Sequence, residues 1–505
     1  MRGEFGHIFR RGGLLALALV LLPLSGVAQT PGPILFPANK ATNVNPDTHL
    51  VLTFPTPPAR GASGKIRIYD GNKLVDTLDL AIPSSPNPTG RVPPPPKGET
   101  RAADASPKVS DVTVKAAAYQ TDYIQGVDFR FFPIIVHGNT ATIFPHHNVL
   151  KYGRTYSVKI EPSVLVTAAG GLNGFKSNSA WTFTTKAAAP PAGTPRVVVA
   201  ADGSGDFNTV QGALDFVPAT SQRRTTIFIK NGTYEELVFV QNKANITIRG
   251  EDREKVIVTY PNNSAFNPPQ ASGPSRRPAF SLYNVTGFQL STFTITNSFI
   301  GQAEALLING QRNIVDRMTL NGSGDALTMR GSVYLTDSRI IGDGDTCLCY
   351  GPAFFNRVEM RSIGPFTWTR NDATTHGNVF LNSVFIAVDK PLPWTVNADG
   401  TGGQKVKAVL ARLPNNNGGN FPYAEMVLIN ARTDGVPDEG WGPIEPGLYN
   451  VRFWEFNTRT LAGEPIDMSK RHPYARRLTM GQDANAIMDY SKPEYVLGGW
   501  RPYVE

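Results

Sequence analysis

Apolar residues fall in short runs along this chain, and most alternate with polar neighbours at a period of two, the spacing of strands rather than helices. In the first third the runs are His49-Leu50-Val51-Leu52-Thr53-Phe54, Lys65-Ile66-Arg67-Ile68-Tyr69, Ala141-Thr142-Ile143-Phe144, Thr155-Tyr156-Ser157-Val158-Lys159-Ile160 and Ala180-Trp181-Thr182-Phe183-Thr184-Thr185. Short strands with frequent turns predict a small β-sandwich over residues 29–186. The Pro/Ser/Lys-rich stretch near 82–107 lacks the apolar content to pack and is expected as an exposed or disordered insertion in it. Residues 187–195 (AAAPPAGTP) read as a linker. A second β-domain, 196–505, follows. A helical period occurs near its start, where Thr209 is placed to cap residues 210–216 with Val210, Ala213 and Leu214 on one face. Such a helix would cover the unpaired strand edges at the end of the domain. The runs 484–490 and 493–503 are expected to pack back on the outside.

Within the second domain one segment recurs. Ala305-Leu306-Leu307-Ile308-Asn309-Gly310 is followed by Ala326-Leu327-Thr328-Met329-Arg330-Gly331 and by Thr346-Cys347-Leu348-Cys349-Tyr350-Gly351, with closing glycines 21 and 20 residues apart. Gly322, Gly342 and Gly364 form a second series. A period near 20 residues in Gly-punctuated β sequence is the mark of stacked solenoid coils. Equivalent positions on neighbouring coils lie about 4.8 Å apart. Asp325 and Asp345 each precede a copy of the segment, and Gln302 precedes its own, so a polar row along one outer face is expected. Taken alone, the two Gly-Asp pairs fit turn caps better than catalysts.

Composition narrows the class. The 505 residues leave room for two or three domains, and 41% apolar content supports a sizeable core. The net charge is +8, but no Lys/Arg run of the kind that binds nucleic acid occurs. A mild positive field suits a polyanionic substrate, and suits an ordinary solvated surface equally well. Arg10-Arg11, the apolar run 14–22 and Gly26-Val27-Ala28 read as a secretory signal peptide cleaved after Ala28, implying a secreted or periplasmic protein. The apolar run is too short to span a membrane comfortably, so no membrane insertion is expected. The only two cysteines, Cys347 and Cys349, sit two apart on a strand, are poorly placed to bridge each other and read as buried packing. His146-His147 could be read as metal ligands, but ordinary packing is the stronger reading.

The second domain carries an ordered series of segments: "ADGSGDFNTVQGALDFVP" (201–218), "NGTYEELV" (231–238), "GQAEALLI" (301–308), "GSGDALTM" (322–329), "GDGDTCLC" (342–349), Gly440-Trp441, "YNVRFWEFNT" (449–458) and "YVLGGWRPY" (495–503). In this order and spacing they resemble the pectin methylesterase family over nearly the whole domain. The opening "ILFPANKATNVNPDTHLVLTF" and closing "SAWTFTT" of the first domain resemble bacterial Ig-like domains, which implies a spacer or adhesion module. The resemblance implies an all-β chain, a right-handed parallel β-helix preceded by an Ig-like β-sandwich, and hydrolysis of methyl esters of homogalacturonan. It casts Asp345 as nucleophile, Asp325 as general acid/base and Gln302 as oxyanion donor. It implies no metal or organic cofactor, since a carboxylate pair supplies both the nucleophile and the proton transfer. Glu236, in the Gly-x-Tyr-x-Glu match, reads as structural.

Two positions depart from the family. Gly324 stands where a second oxyanion glutamine is found, and a serine at Ser323 has a shorter reach. The Leu-Gly-Arg-Pro-Trp segment survives only as Leu410-Ala411-Arg412-Leu413-Pro414. That makes Arg412 the candidate arginine partner of the nucleophile, against a solvated-loop reading beside the insertion 389–407. It also removes the aromatic that lines the sugar groove, for which Tyr350, Phe354, Phe355, Trp368 and Trp394 are substitutes. The expected partner is a methyl-esterified polysaccharide, bound by a monomer. Rival readings are an esterase or thioesterase on another acyl substrate and a non-catalytic glycan-binding surface module. A polygalacturonase is disfavoured, because Thr375-His376-Gly377 matches only the last of that group's elements.

Overall fold

A computed structural model describes residues 32–91, 118–168, 170–172, 175, 181–219, 221–270, 272–397, 399–412, 415–416, 419–442 and 450–505. The expected signal peptide and its cleavage after Ala28, residues 92–107 of the Pro-rich stretch, Leu413-Pro414 and Tyr449 lie outside the described residues.

The alternating runs of the first third form two antiparallel-rich sheets. One orders Ile34–Phe36, Leu50–Thr53, Thr140–Ile143 and Ile134–His137; the other orders Ala41–Val44, Thr182–Thr185, Thr155–Ile160, Lys65–Asp70 and Lys73–Asp79. Every second residue points inward, so Leu50, Leu52, Ile66, Ile68, Val158 and Phe183 meet Trp181 in one core. Trp181 satisfies its indole N–H on the Pro37 carbonyl at 2.9 Å.

The second domain is the right-handed parallel β-helix implied by the resemblance. Three parallel sheets run its length, with eleven, nine and six strands among the described residues. The recurring segment occupies the six-stranded sheet. Leu306–Gln311 pairs in register with Leu327–Arg330, then with Cys347–Cys349 and Thr367–Thr369. Leu306, Ile308, Leu327, Met329, Cys347 and Cys349 point into the coil core. The two thiols are buried there and unbridged. Helix α1, Val210–Phe216, closes the first coil; Thr209 caps it by accepting from Gly212 N, and Val210, Ala213 and Leu214 are buried. Buried Glu236 accepts the N–H groups of Val210 and Gln211 at 2.8 and 2.9 Å, which gives it the structural role expected of it. At the other end α2, Met480–Tyr490, and α3, Pro493–Val496, fold back over the outer face of the eleven-stranded sheet.

The Ig-like domain is docked on the β-helix, and residues 187–195 are not its only attachment. Ile124 and Phe129 pack with Leu237, Phe239, Tyr260 and Ala279 of the helix. Asp47 accepts from Asn208 N and Thr209 N, and Asn45 donates to Asn208. This corrects the picture of a tethered spacer. The head of the Pro-rich stretch is corrected too: Ser84 and Ser85 are 1% exposed, and the side chains of Ser85 and Asn87 bond carbonyls of the β-helix. His146 and His147 pair with Asp76 at 2.6 Å and Asp215 at 2.7 Å. Among the described residues no group of three or more His, Cys, Asp or Glu could hold a metal ion. Among them, too, no helix is long and apolar enough to cross a membrane.

Candidate active site

The ladder register fixes the row. Leu306, Leu327 and Cys347 are partners on successive coils, so the residues two positions ahead of them, Glu304, Asp325 and Asp345, occupy equivalent places. Asp325 and Asp345 therefore do lie on neighbouring coils at one edge of the six-stranded sheet. Gln302 is offset two residues further from the strand. Its carbonyl accepts from Ser264 N at 3.1 Å, and it is partly exposed. The in-register member of its coil is Glu304, which the sequence reading did not single out. The signal was present: aligning Ala305, Ala326 and Thr346 puts Glu304, Asp325 and Asp345 in one column.

Arginines sort the carboxylates. Arg412 Nη1 lies 3.2 Å from Asp345 Oδ2. It gets there because Ala411 bridges to Thr367, adding one more stretch of chain beside the six-stranded sheet, with Arg412 N donating to the Thr367 carbonyl. Leu410 and Ala411 are fully buried, so this is not a solvated loop. Asp345 itself sits in the left-handed region, at φ 47°, which aspartate tolerates better than most residues.

Arg277 was not legible in advance. Its Nη2 lies 2.5 Å from Glu304 Oε1 and 2.9 Å from Asp325 Oδ2, and its Nε donates to Glu304 Oε1 at 2.6 Å. Thr328 Oγ1 adds a hydrogen bond to Glu304 at 3.3 Å. Burial pushes both the Asp325 and the Glu304 carboxyl above the ordinary range, and Arg277 pulls both down. Glu304 takes the shorter contacts and two nitrogens of the guanidinium, so the charge of Arg277 is spent mainly on Glu304. Of the row, Asp325 is left the readier to hold a proton, and Asp345 has Arg412 beside it.

Ser323, the neighbour with the shorter reach, is engaged elsewhere. Ser323 Oγ accepts from Gly301 N at 3.1 Å and donates to Asp343, so it is committed to the turn. Gly324 has φ 65°, and a Cβ there would stand 2.5 Å from the Gly301 carbonyl oxygen. The backbone itself, not one side-chain change, excludes a glutamine.

Of the candidate aromatics, Tyr350 and Trp368 lie near the row. Arg330, Tyr350 and Arg370 stack coil on coil, with Arg330 3.8 Å and Arg370 5.1 Å from the Tyr350 ring centroid. Trp368 lies between Arg370 at 3.4 Å and Arg412 at 3.8 Å, which places an arginine-faced aromatic beside Asp345. Trp394 is 42% exposed in the turn Pro393–Thr395, whose neighbour Leu392 approaches Gly344 of the aspartate turn. Phe354 and Phe355 must be withdrawn as groove residues. Both are fully buried: Phe355 faces the coil core against Phe380, and Phe354 is covered by the C-terminal segment around Tyr490 and Val496.

Comparison with known proteins was made on sequence and on structure. A family model described as Pectinesterase matches residues 196–383, and one described as Bacterial Ig-like domain matches residues 102–185. A "Probable pectinesterase/pectinesterase inhibitor 19" of Arabidopsis thaliana is 33% identical over 132 residues, 26% of this chain and 25% of that protein. The "Pectinesterase/pectinesterase inhibitor U1" of Solanum lycopersicum is 28% identical over 315 residues, 61% of this chain and 52% of its own length. This chain thus spans about a quarter to a half of these relatives. Among solved structures, the pectin methylesterase from carrot is 20% identical with a TM-score of 0.48, covering 61% of this chain and 95% of its own. PemA from Erwinia chrysanthemi is 21% identical with a TM-score of 0.48, covering 63% and 100%. The coils that carry the row thus lie within the match to the Pectinesterase family model, and a match to the bacterial Ig-like domain model stands before it in the chain.

Proposed function

We propose that this protein hydrolyses methyl esters of homogalacturonan and releases methanol. The observation that carries the reading is the in-register pair Asp325 and Asp345, with the Arg412 guanidinium 3.2 Å from the second member. The Asp345 carboxylate attacks the ester carbonyl carbon, and the electron pair moves to the carbonyl oxygen. Gln302 donates its side-chain N–H to that oxyanion. As the oxyanion collapses, the bond to the methoxy oxygen breaks and Asp325 gives that oxygen its proton. Methanol departs, leaving an anhydride between Asp345 and the sugar acid. Asp325, now ionised, takes a proton from water, which attacks the sugar acyl carbon and frees Asp345. With one oxyanion glutamine missing, turnover is expected to be slower by about 100-fold than in a site with both donors.

Arg330, Arg370 and Arg412, faced by Tyr350 and Trp368, suit a chain of uronic acids, with Trp394 at the rim. The row is complete within one chain, consistent with a monomer. A pectin substrate and the signal-peptide reading of the first residues both favour action outside the cytoplasm. The test is methanol release from highly methylated pectin. Release above a blank supports the proposal; none, with pectin still bound, would favour a binding module, and cleavage of short acyl thioesters alone would redirect it to another acyl substrate.

A further inference from the structure

The chain between the strands Val256–Tyr260 and Phe280–Thr286 forms a strap in which residues 262–267 are all buried, a degree unusual for a loop. Asn262, Asn263, Phe266 and Asn267 are each no more than 2% exposed. What buries them on one side is the Ig-like domain. Ser85 Oγ donates to the Phe266 carbonyl at 2.8 Å, and Asn87 Nδ2 donates to the Ala265 carbonyl at 3.1 Å. Asn267 bonds both the N–H and the carbonyl of Arg130, at 2.7 and 3.0 Å. Arg276 reaches Asp128 Oδ2 at 2.7 Å and the Asp128 carbonyl at 3.2 Å. Phe132 stacks on Phe266 with centroids 4.5 Å apart.

On its other side the same strap touches the catalytic row. Asn263 Nδ2 bridges the Gly90 carbonyl, at 2.6 Å, and the Ile300 carbonyl, at 2.7 Å. Ser264 N donates to the carbonyl of Gln302. Arg277, next in the chain to the residue clamped by Asp128, holds Glu304 and Asp325. The geometry points to the Ig-like domain as a working part of the catalytic centre: it clamps the strap, and the strap positions Arg277 against Asp325 and fixes the backbone of Gln302. This rests on the ester-hydrolase reading of the row. Arg277 and Asp128 are positioning residues here, since they act through Asp325 and Gln302.

The charged and titratable groups facing Asp325 are Arg277 on the strap, Glu304 on the coil before, Cys347 and Arg370 on later coils, and Arg412. Arg277 favours the ionised form of Asp325, so loosening it lets Asp325 keep its proton to higher pH. The test uses the full chain with Asp128→Ala and, as a milder second variant, the pair Ser85→Ala and Asn87→Ala. Methanol release is followed against pH, with a thermal melt of each protein. Both variants are expected to lose about tenfold in kcat/KM and to show the alkaline limb moved upward by about one pH unit. Glu161→Gln breaks an ion pair with Arg67 inside the Ig-like sheets and is expected to leave rate and limb unchanged. Wild-type rate and limb in whichever strap variant folds, even with a lowered melt, would reduce the clamp to a structural contact and overturn the proposal. A wild-type protein that releases no methanol would overturn the reaction instead. The clamp is then judged by hydrogen exchange of residues 262–270, expected to speed up at least tenfold in Asp128→Ala; unchanged protection would sink it.

Discussion

Replacing Glu304 by glutamine removes one negative charge from the row while keeping the side chain's shape and an oxygen for Arg277. The Glu304 and Asp325 oxygens sit on the same Arg277 nitrogen, at 2.5 and 2.9 Å, so they lie within the sum of those lengths of each other. At roughly 5 Å and an effective dielectric of about 20, two unit charges repel by about 3 kcal/mol. At about 1.4 kcal/mol per pH unit, that is worth about two pH units in the affinity of Asp325 for its proton. The change also frees Arg277 to act on Asp325 alone, which works in the same direction. Glu304→Gln should therefore release the Asp325 proton at lower pH. The alkaline limb of kcat/KM for methanol release should move down by about one to two pH units, allowing for relaxation of the site. The assay is methanol release from methylated pectin across the pH range at low substrate. A limb that stays in place would refute the reasoning, because it would mean Glu304 is already neutral and Arg277 serves Asp325. A limb that moves up would refute it more strongly.

Two further outcomes follow from the geometry. Gly324→Gln, which restores the family residue, should not raise activity: the left-handed φ and the 2.5 Å approach to the Gly301 carbonyl should lower stability by about 2 kcal/mol, read by thermal or denaturant melts. His49, its ring packed at a tilt against Phe144 at the domain junction, has its pKa pushed down to about 4 by burial. Its folded-state value lies below the unfolded one, so its contribution is whole above pH 6.5 and is lost as the pH falls toward 4. His49→Phe should flatten that part of the melting-temperature profile, and an unchanged slope would contradict it.

Much of the fold was legible because it repeats. The 20-residue period fixed the coil spacing, and with it the neighbouring places of Asp325 and Asp345. Thr209 and the apolar face of 210–216 announced α1 in full. Phe354 shows where periodicity stops: a strand pattern says that Phe354 and Phe355 point opposite ways, but not that Tyr490 and Val496, well over a hundred residues later, cover the outer one. Arg277 was hidden for a similar reason. It is 27 residues from Glu304 and 48 from Asp325, and it arrives along a strap whose path is set by another domain. The head of the Pro-rich stretch looked unable to pack because its content is polar. Ser85 and Asn87 pack by hydrogen bonds to strap carbonyls rather than by apolar area.

The central claim, that Asp345 is the nucleophile of a methyl-ester hydrolase, is tested most directly by methanol release from highly methylated pectin with wild type and Asp345→Ala side by side. The account predicts release by the wild type and a loss of about 1,000-fold or more in the variant, with retained pectin binding and a melt lowered only by the small cost of alanine at the left-handed φ of 47°. Release that survives in Asp345→Ala would contradict it.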